Sequence, residues 1–146
     1  MKNNSNQNPL FQKTLLVVDD EKSIVALASE LFTAQGYNVL TAYDGEQALS
    51  VIKSQSVDLL LCDVVMPNLN GWQLASLVRK SYPNIKIQMI SGFPDEDHPT
   101  TKDDDLFQNL LHKPFSSISL VERIQNLNAK PEKLEKKSVV EIVEPQ

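Results

Sequence analysis

Cysteine is almost absent from this chain, which has one among its 146 residues. A single cysteine excludes an internal disulfide bond and any metal site built mainly from thiolates. That residue, Cys62, lies within an apolar run. We therefore predict that it is a small buried side chain and not a reactive thiol.

Long apolar runs and excess basic charge are absent as well. No stretch approaches the 18 or so apolar residues of a transmembrane helix, and the polar N-terminus lacks the apolar core of a signal peptide. We therefore expect a cytoplasmic protein without a membrane partner. The net charge of -5 argues against a general nucleic-acid binder, because phosphate backbones are bound by clustered Lys and Arg.

Short apolar runs alternate with segments of helical periodicity along most of the chain. Runs of four to six residues, bounded by turn signals, are typical of strands buried on both faces of a parallel sheet. The alternation predicts an α/β domain with right-handed crossovers. The predicted strands are residues 15–18, 37–42, 57–62, 85–90 and 109–112.

The helical segments carry apolar stripes that predict their buried faces. In the first helix the stripe is Ile24, Leu27, Ala28 and Leu31, and in the third it is Leu74, Leu77 and Val78. The fourth helix is expected to be short or irregular, since residues 94–105 include six acidic side chains and Pro99.

The chain length is typical of a single domain, and a polar segment lies at each end of the sequence. Residues 1–13, rich in Asn and Gln, are predicted to be disordered, and residues 14–127 to form the domain. Residues 128–146 are predicted to form a flexible tail with no second domain.

Polar side chains follow four of the predicted strands where each strand ends. Asp19 and Asp20 follow the first, Asp63 the third, Ser91 the fourth and Lys113 the fifth. The carboxyl ends of parallel strands meet in one crevice, where ligands bind. Three carboxylates, a hydroxyl and an ammonium are therefore expected to form a site for a cation and a phosphoryl group.

The cation is predicted to be Mg²⁺. Carboxylates this close raise one another's pKa unless a divalent cation compensates their charge. A few fixed oxygen ligands suit Mg²⁺, which keeps several of its waters.

Each of these residues also has a simpler interpretation. The sequence Asp19-Asp20-Glu21 is compatible with a helix N-cap and its first-turn acids. Ser91 alone fits a turn hydroxyl, and Lys113 alone fits a solvated lysine. Their occurrence together, each at a strand end, favours the common site.

With these residues the chain resembles the receiver domain of two-component response regulators over roughly residues 14–127. The residues that carry the resemblance are Val18-Asp19-Asp20-Glu21, Asp63-Val64-Val65-Met66-Pro67, Gly71, Ser91-Gly92 and Lys113-Pro114-Phe115. It implies a flavodoxin-like, doubly wound five-stranded sheet of order 2-1-3-4-5 with helices on both faces.

The resemblance also implies roles for the acidic residues. Asp63 is the phosphoacceptor and takes a phosphoryl group as an acyl phosphate. Asp20 and Asp63 bind Mg²⁺ directly, as does the backbone carbonyl of Val65, while Asp19 contributes through water.

Further roles fall on the residues after strands four and five. Lys113 pairs with Asp63 and then with the phosphoryl oxygens, Ser91 donates a hydrogen bond to one of them, and Gly92 offers its N–H. Lys113-Pro114 is similar to the family's cis peptide, which would direct the ammonium inward.

Two departures from the family pattern bear on signalling. Leu110 stands at a switch position that is often aromatic, so we expect switching without an aromatic flip, with motion in residues 92–105 instead. Val65 and Phe93 flank the expected path of an attacking water, so we expect a long-lived acyl phosphate.

The resulting functional prediction is a phosphoacceptor signalling module, not an enzyme. Its expected donor is a sensor histidine kinase or a histidine phosphotransfer protein, and its output is a protein bound at the face of helix 4, strand 5 and helix 5, not nucleic acid. The alternatives are a Mg²⁺-dependent phosphohydrolase that works through an aspartyl phosphate, a scaffold that is never phosphorylated, and a fragment of a longer regulator.

Overall fold

The computed structural model describes residues 12–92 and 105–131. Its centre is a five-stranded parallel sheet of order β2-β1-β3-β4-β5, which confirms the predicted fold class and strand order. The strands are β1 (Thr14–Val18), β2 (Asn38–Ala42), β3 (Leu59–Asp63), β4 (Lys86–Ser91) and β5 (Leu111–His112).

Helices alternate with these strands and cover both faces of the sheet. They are α1 (Lys22–Ala34), α2 (Gly45–Ser54), α3 (Gly71–Ser81), α4 (Asp105–Gln108) and α5 (Ser117–Ala129). Across the two described ranges, none of these helices has the length and apolar character needed to cross a bilayer.

The pleat of the central strands divides the interior into two apolar clusters. Leu16 and Val18 of β1 join Leu60 and Cys62 of β3 in the cluster under α2 and α3, where Cys62 is fully buried as predicted. Their neighbours Leu15, Val17, Leu59 and Leu61 point to the opposite face and pack under α1 and α5. Because successive side chains of a strand alternate, a continuous apolar run supplies both clusters.

Side-chain caps set the start of three helices. Asp44 accepts the backbone N–H of Gln47 at α2, and Ser116 accepts that of Ser119 at α5. At α3, Asn70 and Gln73 form a reciprocal capping box. Each cap satisfies N–H groups that have no partner within their helix.

The buried face of α1 differs from the predicted one. Val25, Ala28 and Phe32 are buried, whereas Leu27 is 39% exposed. Apolar residues are adjacent at 24–25 and 31–32, so two helical stripes fit the sequence equally well. In the observed stripe, Phe32 packs against Tyr37, with ring centroids 5.6 Å apart.

The buried face of α3 also differs from its predicted stripe. Leu74 and Val78 are buried as expected, but Leu77 is 44% exposed. Trp72 and Ala75 take its place in the core, and the indole of Trp72 lies 6.1 Å from the ring of Phe107, centroid to centroid. The buried side of α3 therefore carries Trp72, which lies next to α4.

Strand β5 is shorter than the predicted 109–112. The carbonyl of Asn109 accepts the side-chain amide of Gln88 at 2.8 Å and the guanidinium of Arg123 at 2.6 Å. It is thus bound by side chains of β4 and α5, and the strand pairing begins only at Leu111.

Several predictions lie outside the described residues. They concern residues 1–11, the acidic segment 93–104 with Phe93, and residues 132–146. The domain limits of 14–127 and the flexible ends stay predictions.

Candidate phosphoryl and metal site

Two neighbouring strands deliver the three predicted carboxylates to one place. Asp63 ends β3, and Asp19 and Asp20 follow β1, its neighbour in the sheet. Carboxylate oxygens of the three residues lie within 4.8 Å of one another. Asp19 and Asp63 are buried, whereas Asp20 is exposed at the mouth.

The two oxygens of Asp19 have different environments. Oδ1 accepts the backbone N–H of Glu21 at 2.9 Å. Oδ2 is buried and makes no hydrogen bond with any described residue, although the ammonium of Lys113 lies 3.2 Å away. A buried anionic oxygen that still has free lone pairs is a suitable donor for a cation.

Lys113 reaches the carboxylates from the end of β5. Its backbone N–H donates to the carbonyl of Ser91 at 2.9 Å, and the Lys113–Pro114 peptide bond is cis, as the resemblance implied. Its Nζ lies 3.5 Å from Oδ1 of Asp63 and 2.7 Å from Oε1 of Glu21. The ammonium therefore stands beside the carboxylate cluster, with its shortest contact to Glu21.

Burial and crowding disturb the protonation of these groups. Burial and then the charge of Asp19 raise the pKa of Asp63 to about 7, although Lys113 acts in the opposite direction. Burial also raises the pKa of Asp19. For Lys113, burial lowers the pKa, but the hydrogen bond to Glu21 and the charges of Asp63 and Asp19 outweigh it and leave the pKa raised. In the absence of a metal ion, the Lys113 ammonium compensates only part of the negative charge of the cluster.

The loop after Asp63 is held close to the sheet. The N–H of Val64 donates to the carbonyl of Ile90 at 2.9 Å, and the N–H of Gly71 donates to the carbonyl of Val64 at 2.7 Å. A Cβ on Gly71 would lie 2.1 Å from the carbonyl oxygen of Asp63, so only glycine permits this approach. Gly71 thereby helps to place Asp63 and the loop that carries Val65.

The remaining predicted residues lie at the end of β4, just before β5 and in the loop after Asp63. Ser91 is buried at the end of β4 and is followed by the exposed Gly92. Leu110, at the predicted switch position, is only 4% exposed and belongs to the cluster under α2 and α3. Val65 is 39% exposed beside the site.

Glu21 is the residue whose part in the site the sequence did not indicate. Glu21 is part of the motif Val18-Asp19-Asp20-Glu21, but the motif indicated no role for its side chain. Its partner Lys113 is 92 residues away in the sequence. An acidic residue at a helix start is common for other reasons, so no local signal distinguished this one.

The donor set fits Mg²⁺. It consists of three carboxylates, and one of them, Asp19, has a buried oxygen that accepts no hydrogen bond from the described residues. Hard oxygen ligands in small number, open to water on the side of Asp20, suit this ion.

The family model of the response regulator receiver domain matches residues 15–125. The chain belongs to this family. It is 36% identical over 116 residues to the probable transcriptional regulator ycf27 of Cyanidium caldarium, covering 80% of this chain and 46% of that protein. It is 36% identical over 114 residues to the transcriptional regulatory protein CpxR of Escherichia coli K12, covering 76% and 47%. The chain thus spans less than half the length of these two relatives.

Solved structures show the same fold. The response regulator TrrA of Thermotoga maritima, solved with Mg²⁺ and beryllofluoride, is 30% identical, with a TM-score of 0.69 over 80% of this chain and 99% of that one. CheY of Borrelia burgdorferi, solved with CheX, beryllofluoride and magnesium, is 27% identical, with a TM-score of 0.71 over 81% and 90%.

Proposed function

We propose that this chain is a phosphoacceptor module of a two-component system, phosphorylated on Asp63, with Mg²⁺ bound directly by Asp20, Asp63 and the carbonyl of Val65 and, through water, by Asp19. One observation carries the proposal. Three carboxylates converge within 4.8 Å, with the Lys113 ammonium beside the one that ends β3. A cation site next to a nucleophilic carboxylate and a fixed ammonium suits transfer of a phosphoryl group.

The reaction balances with the groups at hand. A carboxylate oxygen of Asp63 attacks the phosphorus of a phosphohistidine or of a small acyl phosphate. A new P–O bond forms, and the bond to the imidazole nitrogen or to the donor's carboxylate oxygen breaks. Lys113 and Ser91 donate hydrogen bonds to the phosphoryl oxygens, and the N–H of Gly92 adds a further donor. Bound Mg²⁺ supplies compensating positive charge for an anionic donor.

Labelling by a small phosphodonor tests this proposal. With acetyl phosphate and Mg²⁺, intact-mass analysis should show one added phosphoryl group, and chelation of the metal should abolish it. Asp63→Asn should not be labelled, because the amide is not a nucleophile. Equal labelling of this variant would show that the phosphoacceptor is another residue.

We infer a signalling module and not a phosphohydrolase. Such hydrolases use a second carboxylate as a general acid near the nucleophile. The two positions after Asp63 are Val64, which is buried, and Val65, and neither can transfer a proton. Sustained turnover of small phosphoesters, beyond one phosphoryl group per chain, would contradict this inference.

A sensor histidine kinase or a histidine phosphotransfer protein is the proposed donor. The chain is 37% identical over 95 residues to the CAI-1 autoinducer sensor kinase/phosphatase CqsS of Vibrio cholerae, covering 65% of this chain and 14% of that protein. This similarity to part of a sensor kinase supports a receiver that accepts its phosphoryl group from a kinase. The proposed output is a protein bound at the face of α4, β5 and α5, and the cytoplasmic location stays a prediction.

A further inference from the structure

The Lys113 ammonium has three anionic neighbours at unequal distances. Its Nζ lies 2.7 Å from Glu21, 3.2 Å from Asp19 and 3.5 Å from Asp63. Only the first has the length and geometry of a strong charge-assisted hydrogen bond. In the unphosphorylated protein, Lys113 is therefore hydrogen-bonded to Glu21 and not to the phosphoacceptor.

Among the described residues, the Glu21 side chain makes a hydrogen bond or ion pair only with Lys113. Glu21 occupies the N-cap of α1, yet its side chain makes no cap hydrogen bond, and its carbonyl alone accepts the N–H groups of Ile24 and Val25. The side chain is 57% exposed. Its replacement should therefore leave α1 and the core intact.

We propose that Glu21 is a positioning residue that retains Lys113 in a resting position and so opposes binding of the phosphoryl group. This inference rests on the proposed phosphorylation of Asp63. The ammonium must leave Glu21, at least in part, to reach the phosphoryl oxygens. An ammonium has three donors on a flexible stem, so a nearby carboxylate competes directly with the new anion for it.

The proposal is tested by titrating beryllofluoride, a phosphoryl mimic, at saturating Mg²⁺ and fixed ionic strength, followed by backbone amide shifts. Glu21→Gln should bind the mimic about two- to fivefold more tightly than the wild type, because a partly exposed ion pair typically contributes a free energy of this size. Glu30→Gln is the matched control, because it removes the same charge from an exposed site about 13 Å further along α1. The control should leave the affinity unchanged.

Two further variants separate the hydrogen bond from the charge. Glu21→Asp keeps the charge but is one methylene shorter, so it should behave like Glu21→Gln. In a Lys113→Met background, Glu21→Gln should no longer tighten binding, since the competed ammonium is gone. Wild-type affinity in Glu21→Asp, or an undiminished effect in the Lys113→Met background, would overturn the proposal.

A measurement without phosphoryl or metal gives an independent test. The side-chain ammonium resonance of Lys113 should shift in Glu21→Gln and stay in place in Glu30→Gln. An unchanged resonance in both variants would also contradict the inference. The two proposals can fail separately. If the wild type does not bind beryllofluoride but the Lys113 resonance shifts in Glu21→Gln, the proposed function is wrong and the Glu21–Lys113 hydrogen bond is confirmed.

Discussion

At the scale of single residues, the site brings together buried carboxylates whose negative charges destabilise the folded state. Asp63 is 4% exposed and lies beside Asp19, which is fully buried. The pKa of Asp63 is raised from 3.8 to about 7, so the folded protein holds its proton more tightly than the unfolded chain does between these values. The unfolded state therefore binds fewer protons in this window, and the contribution of Asp63 to stability falls as the pH rises through it.

Replacing the phosphoacceptor should therefore stabilise the metal-free protein. In a chelator at pH 8, we expect Asp63→Asn to raise the free energy of unfolding by roughly 1–3 kcal/mol, because the amide carries no charge. Near pH 4 the difference should largely disappear. Urea unfolding of both proteins at the two pH values measures it, with Glu30→Gln as the surface control. A variant less stable than the wild type at pH 8 would refute the assigned pKa.

Val65 is a second residue with a predicted kinetic effect. Its side chain is 39% exposed beside the carboxylates and offers no hydrogen bond to an attacking water. We expect Val65→Asn to lose its phosphoryl group faster than the wild type, by up to ~10²-fold if the amide orients the water well. Val65→Ala, which reduces bulk without adding a hydrogen bond, should change the rate less. Decay of the ³²P-labelled proteins gives the rates, and slower loss in Val65→Asn would oppose the idea.

At the scale of elements, side chains replace part of the strand pairing beside β5. Gln88 is 6% exposed, and its side-chain amide donates to the carbonyls of Met89 and Asn109, both at 2.8 Å. Arg123 of α5 donates to the same Asn109 carbonyl at 2.6 Å. This group of hydrogen bonds ties β4 and α5 to the segment between α4 and β5, next to the proposed output face.

Removing the buried amide should weaken this junction. Gln88→Leu should lower the free energy of unfolding by about 1–3 kcal/mol, because it removes the side-chain donor to the buried Met89 carbonyl and one of the two side-chain donors to the Asn109 carbonyl. The matched control is Gln125→Leu on the exposed side of α5, whose one side-chain hydrogen bond within the described residues is a 3.4 Å contact with Gln35. The control should change stability by less than about 0.5 kcal/mol. Urea titration measures both, and equal losses would disprove a special role for Gln88.

At the scale of the whole molecule, the charge of the chain bears on its output. The net charge is -5, and the relatives ycf27 and CpxR, named as transcriptional regulators, are more than twice as long as the region they share with it. A chain with this net negative charge has little attraction for a phosphate backbone.

This chain alone should therefore not bind DNA, phosphorylated or not. In low salt, gel-shift titration with random duplex should show no complex up to about 10 µM, within the range where non-specific binders associate. Salt-sensitive binding at micromolar concentration would contradict a protein-binding output.

The fold class and the meeting of the acidic residues followed from local patterns. Short apolar runs between helical segments indicate a parallel sheet wherever they occur, and a polar residue at the end of such a run must lie at the carboxyl edge. For this reason the sequence alone predicts that Asp19, Asp20 and Asp63 lie together. The strand order and the cis bond before Pro114 came from the resemblance, since nothing local specifies them.

Other features depended on contacts between distant parts of the chain. Leu27 and Phe32 both fit a helical stripe, and only the rest of the core selects which one is buried. The length of β5 depends on hydrogen bonds from Gln88 and Arg123, and the raised pKa of Asp63 depends on burial and on Asp19. The pairing of Glu21 with Lys113 joins residues 92 positions apart. Periodicity reports the neighbours of a residue along one element, whereas burial, charge and partner choice arise only when separate elements pack together.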